Sequence, residues 1–208
     1  MIGQYLANIV LGYLLGSIPF GLVVGYLYLH RDIRDSGSGK TGTTNVLRTA
    51  GRSAAALVLI GDIAKGAVPA LVGRFVLHDD GAAAVGAGAA VVGHIWPVFA
   101  GFRGGRGVAS AFGSVLGLAP LLALLFPLIG AALVIPTRYV SLMSVLGTPI
   151  AAGIVVVAAV AGWQPIPFAA EAVFVTLLIE YKHLPNIRRL LAGTEPRIGR
   201  GGDRPATG

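Results

Sequence analysis

Cysteine is absent from this 208-residue chain, which removes disulfides, thiolate catalysis and cysteine-ligated metal together. Charge is scarce as well. Charged side chains make up 12% of the residues, where an ordinary soluble domain carries about a quarter. Hydrophobic side chains make up 55% and the mean hydropathy is +0.78, so a soluble fold is excluded and an integral membrane protein remains. Acids are the scarcest charge: nine Asp and Glu face sixteen Lys and Arg, for a net charge of +7. The basic residues flank apolar runs instead of covering one polar face. Anionic headgroups or phosphorylated molecules are therefore the expected partners, and nucleic acid is not.

Apolar runs at 3–28, 53–77, 82–100, 141–161 and 167–181 each approach the ~20 residues that cross a bilayer as helix. The stretch 108–136 is too long for one crossing at ~1.5 Å per residue. Gly117 and Pro120 offer a break, because proline lacks a backbone donor and disfavours helix in the residue before it. Two spans there give seven in all. The expectation is an all-α, polytopic integral membrane protein with seven transmembrane helices, one domain over residues 1–199 and a disordered tail at 200–208. Seven crossings place the segments 29–52, 101–107, 137–140 and everything from 182 on one side, with fourteen of the sixteen basic residues. The positive-inside rule makes that side cytoplasmic, with the N-terminus outside and the C-terminus in the cytoplasm. The uncharged MIGQ start, with positive charge only after the first run, reads as a retained helix and not a signal peptide. Gly12/Gly16 and Gly21/Gly25 have the G-x-x-x-G spacing of close helix packing. Asp62 and Lys65 lie three apart on one helix face within a span, where charges are usually paired, and read as a structural pair.

Polar chemistry gathers in four segments. The first, HRDIRDSGSGKTGTTNVLRTAGR at 30–52, mixes Arg31, Arg34, Lys40, Arg48 and Arg52 with hydroxyls and amides, the composition of a surface that grips phosphate. Its GSGKT is no P-loop, since Arg34 stands where the pattern needs glycine and a membrane helix precedes it. The His30/Asp35 spacing arises readily by chance among four histidines and six aspartates. In the second, GHIWPVFAGFRGGRGVAS at 93–110, Gly104 and Gly105 allow close backbone approach, Arg106 adds a fork of donors, and a helix beginning near Val108 aims its positive end at the same place. His94 beside Trp96 reads first as an interfacial anchor and second as a base, and counts among the substrate-binding candidates. The third, TRYVS at 137–141, offers Arg138 and Ser141. The fourth, EYKHLPNIRRLLAGTEPRIG at 180–199, offers His183 and Asn186, with Arg188 and Arg189 at the headgroups.

Read in order, GSIPFG at 16–21, GSGKTGTTNVLR at 37–48, GDIAKGA at 61–67, GHIWPVF and FRGGRGVA at 93–109, TRYVSL at 137–142 and HLPNIRRLLAGTEPRIG at 183–199 resemble the bacterial acyl-phosphate:glycerol-3-phosphate acyltransferases over nearly the whole chain. The resemblance implies a seven-helix inner-membrane enzyme with its site on the cytoplasmic face. It implies transfer of a fatty acyl group from acyl phosphate to the 1-hydroxyl of glycerol 3-phosphate, giving lysophosphatidic acid and phosphate, with no cofactor or metal. Ser38, Asn45 and Arg48, with Lys40 beside them, are then expected on glycerol 3-phosphate. The Gly104 and Gly105 amides with Arg106 are expected on acyl phosphate, and Ser141, His183 and Asn186, with Arg138, complete the site. The hydroxyl proton passes to the acceptor's own phosphate in such a substrate-assisted system. Two positions depart from the family pattern: Lys40 replaces asparagine and Arg106 replaces lysine, which bears on affinity more than on reaction type. The remaining partners are membrane lipids, and the expected state is a monomer. A transporter of a phosphorylated molecule or lipid is the alternative, but it would place polar groups near the midplane. A non-catalytic lipid-binding scaffold would not need the histidine, asparagine and glycine cluster.

Overall fold

A computed structural model describes residues 2–198, and every regular element among them is helical. The chain forms two compact units that divide between Leu118 and Ala119. Among the described residues five helical segments are long and apolar enough to cross a membrane: Ile2–Leu29, Thr43–Phe75, Asp80–Ala100, Pro120–Thr137 and Val140–Val160.

The first unit contains α1 (Ile2–Gly16), α2 (Phe20–Leu29), α3 (Thr43–Phe75), α4 (Asp80–Ile95) and α5 (Val108–Leu118). Small residues set its packing, because lipid supplies no hydrophobic drive between helices and close backbone approach must do so instead. A Cβ on Gly12 would strike the carbonyl of Gly86, and one on Gly16 that of Ala90, so α1 lies backbone to backbone on α4. Gly66 and Gly113 do the same between α3 and α5, against the carbonyls of Ser110 and Ile63. The second G-x-x-x-G pair behaves otherwise. Gly21 is pressed against Thr41 and Gly25 against Ile33, so α2 uses its glycines to seat the following polar segment and not another helix. Buried Asn8 in α1 donates from Nδ2 to Pro69 O at 3.0 Å and Ala82 O at 2.7 Å, tying α1 to α3 and α4. Arg74 Nη1 donates to Gly117 O and Leu118 O at 3.1 and 2.8 Å, closing carbonyls that the end of α5 leaves without partners. One basic residue outside the positive side is thereby a helix cap.

The segment 29–52, expected as a loop, is partly helical. Residues 43–50 form the first turns of α3, and Gly51 interrupts them at φ 88°, ψ −175° before the helix resumes at 52. An Asp32-capped turn at Ile33–Asp35 precedes them.

The second unit contains α6 (Pro120–Ala123), α7 (Leu125–Thr137), α8 (Val140–Leu142), α9 (Thr148–Val160) and α10 (Ile166–Leu191). The break expected at Gly117–Pro120 is present: α5 ends at Leu118, Ala119 leaves helical angles at φ −142°, ψ 71°, and Pro120 opens α6, where its missing N–H has no cost. A wide turn at Met143–Gly147 joins α8 to α9; such π-turns recur at functional sites. The apolar stretch of α10 carries Glu171, Glu180 and Lys182. The tail expected at 200–208 lies outside the described residues.

Candidate functional site

Asn45 organises the first polar segment. It is 2% exposed, and its amide serves the loop on both ends. Nδ2 donates to Ile33 O, Ser36 O and Lys40 O at 3.0, 3.1 and 2.9 Å, while Oδ1 accepts from Ser38 N–H at 2.8 Å. Gly37 and Gly39 take left-handed angles, and a Cβ on Gly37 would fall on Asn45 Oδ1. The residue expected to bind substrate is therefore engaged by the loop itself, and Ser38, Lys40 and Arg48 are the exposed ones. Arg34 grips Asp32 through Nε and Nη2 at 2.7–3.1 Å and donates from Nη1 to Ala100 O at 3.0 Å. Its guanidinium holds the Asp32 carboxyl below the usual carboxylate range. Arg34 is thus a brace between this loop and the segment leading into the glycine turn.

In that turn Gly105 N–H donates to His94 O at 3.1 Å. A Cβ on Gly104 would strike His94 O and Pro97, and one on Gly105 would strike the His94 ring. One of the two amides expected to face a ligand is therefore bonded to α4, and both glycines are required by close packing as well. Arg106 follows, half-buried, and Gly107 at φ 93° turns the chain into α5. His94 is not at an interface: it is 5% exposed. Its Nδ1 lies 3.3 Å from Asp62 Oδ1, without hydrogen-bond alignment. The same oxygen pairs with Lys65 Nζ at 2.9 Å, and Lys65 also donates to Ile18 O at 2.9 Å. The Asp62–Lys65 pair read from the sequence is present, with an imidazole added to it.

The second unit holds the other four candidates. Arg138 ends α7 in the left-handed region at φ 61°, and its carbonyl accepts from Ile198 N–H at 2.9 Å while its side chain is exposed. Ser141 and Asn186 are buried and converge on Glu195. Asn186 Nδ2 donates to Oε1 and Arg189 Nε to Oε2, each at 2.7 Å. Burial would push the Glu195 carboxyl up, but the bonds from Asn186 and Arg189, with the Ser141 hydroxyl beside them, outweigh it and hold the group below the usual carboxylate range. His183 is 2% exposed and its Nδ1 lies 2.8 Å from Ile179 O. The neutral ring is therefore the Nδ1–H tautomer, with its lone pair on Nε2.

Sequence reasoning missed Glu195, although it stands inside the quoted HLPNIRRLLAGTEPRIG as the one acid of a basic segment; charge balance was the available signal. It also missed that His94 would meet Asp62, which nothing local announces. Among the described residues no group of three or more His, Asp or Glu converges as metal ligands would.

Residues 6–193 match the family model described as glycerol-3-phosphate acyltransferase. A glycerol-3-phosphate acyltransferase of Rhizobium meliloti (strain 1021) is 45% identical over 197 residues, covering 95% of this chain and 94% of the relative. One of Rubrobacter xylanophilus is 40% identical over 191 residues, covering 92% and 94%. Among solved structures, PlsY (YgiH), an integral membrane glycerol 3-phosphate acyltransferase, is similar in its glycerol 3-phosphate form with a TM-score of 0.86 and 40% identity, over 94% of this chain and 96% of that one. Its lysophosphatidic acid form gives a TM-score of 0.85 at 39% identity, over 94% and 95%.

Proposed function

This chain belongs to the glycerol-3-phosphate acyltransferase family and is a multi-pass membrane acyltransferase, and we propose that it moves a fatty acyl group from acyl phosphate to the 1-hydroxyl of glycerol 3-phosphate. Lysophosphatidic acid and inorganic phosphate are the products. The observation that carries this reading is the Arg34 brace to Ala100. It joins, within one unit, a loop that displays Ser38, Lys40 and Arg48 and the segment that enters the Arg106 turn. Two phosphate-bearing substrates call for two such basic surfaces.

In this reading Arg48, Ser38 and Lys40 take the phosphate of glycerol 3-phosphate, and Asn45 fixes the loop that presents them. Arg106, the glycine turn and the start of α5 take the acyl phosphate, with His94 behind the turn. Ser141, His183, Asn186 and Arg138 supply the remaining substrate contacts from the second unit. The 1-hydroxyl oxygen attacks the acyl carbon, the acyl–phosphate bond breaks, and the hydroxyl proton goes to the acceptor's own phosphate. Acyl phosphate is a mixed anhydride with a good leaving group, so positioning and charge stabilisation suffice without a covalent enzyme intermediate. The family match runs unbroken over residues 6–193, which supports a single acyltransferase domain. The enzyme acts as a monomer in the bacterial inner membrane, with seven crossings, the N-terminus outside and the basic segments in the cytoplasm. The helix break at Ala119 and the distribution of basic residues support that topology.

Purified protein given acyl phosphate and glycerol 3-phosphate, without ATP, coenzyme A or added metal, should release lysophosphatidic acid and phosphate in equal amounts. No product, or product only from an acyl thioester, would replace the donor assignment. Tags after Arg52, within 101–107 and at the C-terminus should report cytoplasm and one at Asp79 the far side; termini on one side would overturn seven crossings.

A further inference from the structure

The peptide between Ile33 and Arg34 is held from both sides. Its carbonyl accepts from Asn45 Nδ2 at 3.0 Å, and its N–H donates to Asp32 Oδ1 at 2.8 Å. The Ile33 side chain is fully buried, in one apolar cluster with Val46 and Ala100. From that fixed peptide the Arg34 side chain leaves with every nitrogen engaged. Nε and Nη2 donate to the Asp32 carboxylate at 2.7–3.1 Å, and Nη1 donates to Ala100 O at 3.0 Å. The Ala100 carbonyl has a second lone pair, and it accepts the N–H of Arg103 at 3.3 Å. Arg103 is the residue before Gly104. At the other end, Asn45 stands one helical turn before Arg48 in the 43–50 segment. An unbroken series of contacts therefore runs from the helix that carries Arg48, through the 33–34 peptide and the guanidinium, to the entry of the turn that carries Arg106. Asp32 keeps the guanidinium from swinging, because a carboxylate gripping Nε and Nη2 fixes the plane and with it the direction of Nη1.

We propose that Asp32 and Arg34 are positioning residues for the transfer step: they fix the spacing between the Arg48-bearing and Arg106-bearing surfaces, so that two separately bound substrates meet within reacting distance. The proposal rests on the reading above that both surfaces serve one reaction, and it holds whichever substrate each surface receives. Holding reacting atoms about 3–3.5 Å apart is the part of catalysis most sensitive to small displacements. When the spacing changes, each surface keeps its own groups: Ser38, Lys40, Arg48 and Arg106 are untouched, and the Asn45 bonds still hold the first loop. The loss therefore falls on turnover and not on the affinity for either substrate.

The test measures kcat and both KM values in purified variants whose folding is checked by thermal unfolding. Arg34→Ala should lower kcat roughly ten- to hundredfold, the size of effect that a misplacement of about 1 Å produces, with the KM for glycerol 3-phosphate and for acyl phosphate each within about twofold of the parent. Arg34→Lys keeps the charge but cannot grip a carboxylate as a fork and reach Ala100 O together. It should be nearly as slow as Arg34→Ala, and a parental kcat in it would overturn the proposal by showing that charge alone suffices. Asp32→Asn keeps an acceptor for the Arg34 N–H and removes the ionic grip on the guanidinium. It should give a smaller fall of the same kind, and adding it to Arg34→Ala should add little, because Asp32 acts through Arg34. Where Arg34→Ala does not fold, Arg34→Lys and Asp32→Asn carry the test. A lowered Tm with parental kcat would make the brace structural only, and a rise confined to one KM would place Arg34 inside a single subsite. Either result overturns the proposal, as would additive effects of the two substitutions. Arg48→Ala and Arg106→Ala separate the two layers. If each raises the KM of a substrate while the Arg34 variants keep the parental kcat, only this inference fails. If neither changes a KM, the two-surface reading fails and the inference falls with it.

Discussion

In the first unit a neutral amide, Asn45, holds the 33–40 backbone by four hydrogen bonds; in the second a carboxylate, Glu195, draws in the side chains of Asn186 and Arg189. Asn45 bonds only to main chain, so Ser38 and Lys40 of its loop remain exposed at the surface and the arrangement does not titrate. Glu195 bonds to candidate site residues themselves. Its ionisation is therefore coupled to where Asn186 points, and the two segments should respond differently to truncation and to acid.

The largest effect is expected from Asn45→Ala. It leaves three carbonyls and one N–H without their partner, at about 1–3 kcal/mol for each group that stays buried, so kcat/KM with glycerol 3-phosphate should fall by roughly a hundredfold or more. Asn45→Asp keeps only the acceptor and should recover little; full activity in either would mean that the loop is held by something else. Arg48→Ala comes next. On the acceptor-site assignment proposed above it removes a charge-assisted bond to phosphate worth about 1.5–3 kcal/mol, which is roughly a ten- to hundredfold rise in glycerol 3-phosphate KM, and an unchanged KM would remove Arg48 from the acceptor site. Glu195→Gln should do least, about 1 kcal/mol at neutral pH, since an amide keeps part of the hydrogen bonding. Its signature is in the pH dependence. The folded-state pKa of Glu195 is depressed, so its stabilisation is complete above the ordinary glutamate range and is lost as pH falls through the folded value. The gap in unfolding midpoint between parent and Glu195→Gln should therefore close as the pH is lowered. A gap of constant width from neutral to acid pH would show that the carboxylate charge does not hold the cluster.

What was legible in the sequence had local causes. Gly117 and Pro120 marked a helix break because glycine and proline act on the backbone where they stand, and the Asp62–Lys65 pair was readable because three residues return to one helix face. Gly12/Gly16 were correctly read as helix packing, whereas Gly21/Gly25, with the same spacing, face Thr41 and Ile33. Spacing reports a small-residue face and is silent about what fills it. The roles of Asn45, His94 and Glu195 depend on partners brought in by the fold: loop carbonyls that converge only once Gly37 and Gly39 have turned, a carboxylate on another helix, and a segment just after α10 that brings Glu195 back to Asn186 and Arg189. Composition showed which segments are polar but could not say which polar groups would be consumed holding those segments in shape.

Gly51 gives α3 an elbow. Its angles lie in a region that essentially only glycine occupies, yet a methyl group placed on it would meet no neighbour within 4 Å. Sterically the position is empty and torsionally it is closed, so what it tolerates is decided by rotation about two bonds and not by its neighbours. Any other residue would tend to return the chain to helical angles, welding 43–50 onto 52–75 as one straight rod. Arg48 would then be carried by the direction of the membrane helix, like a pointer fixed to its shaft. With glycine in the joint, the pointer departs from that direction, and its bearing is set by the loop that Asn45 holds.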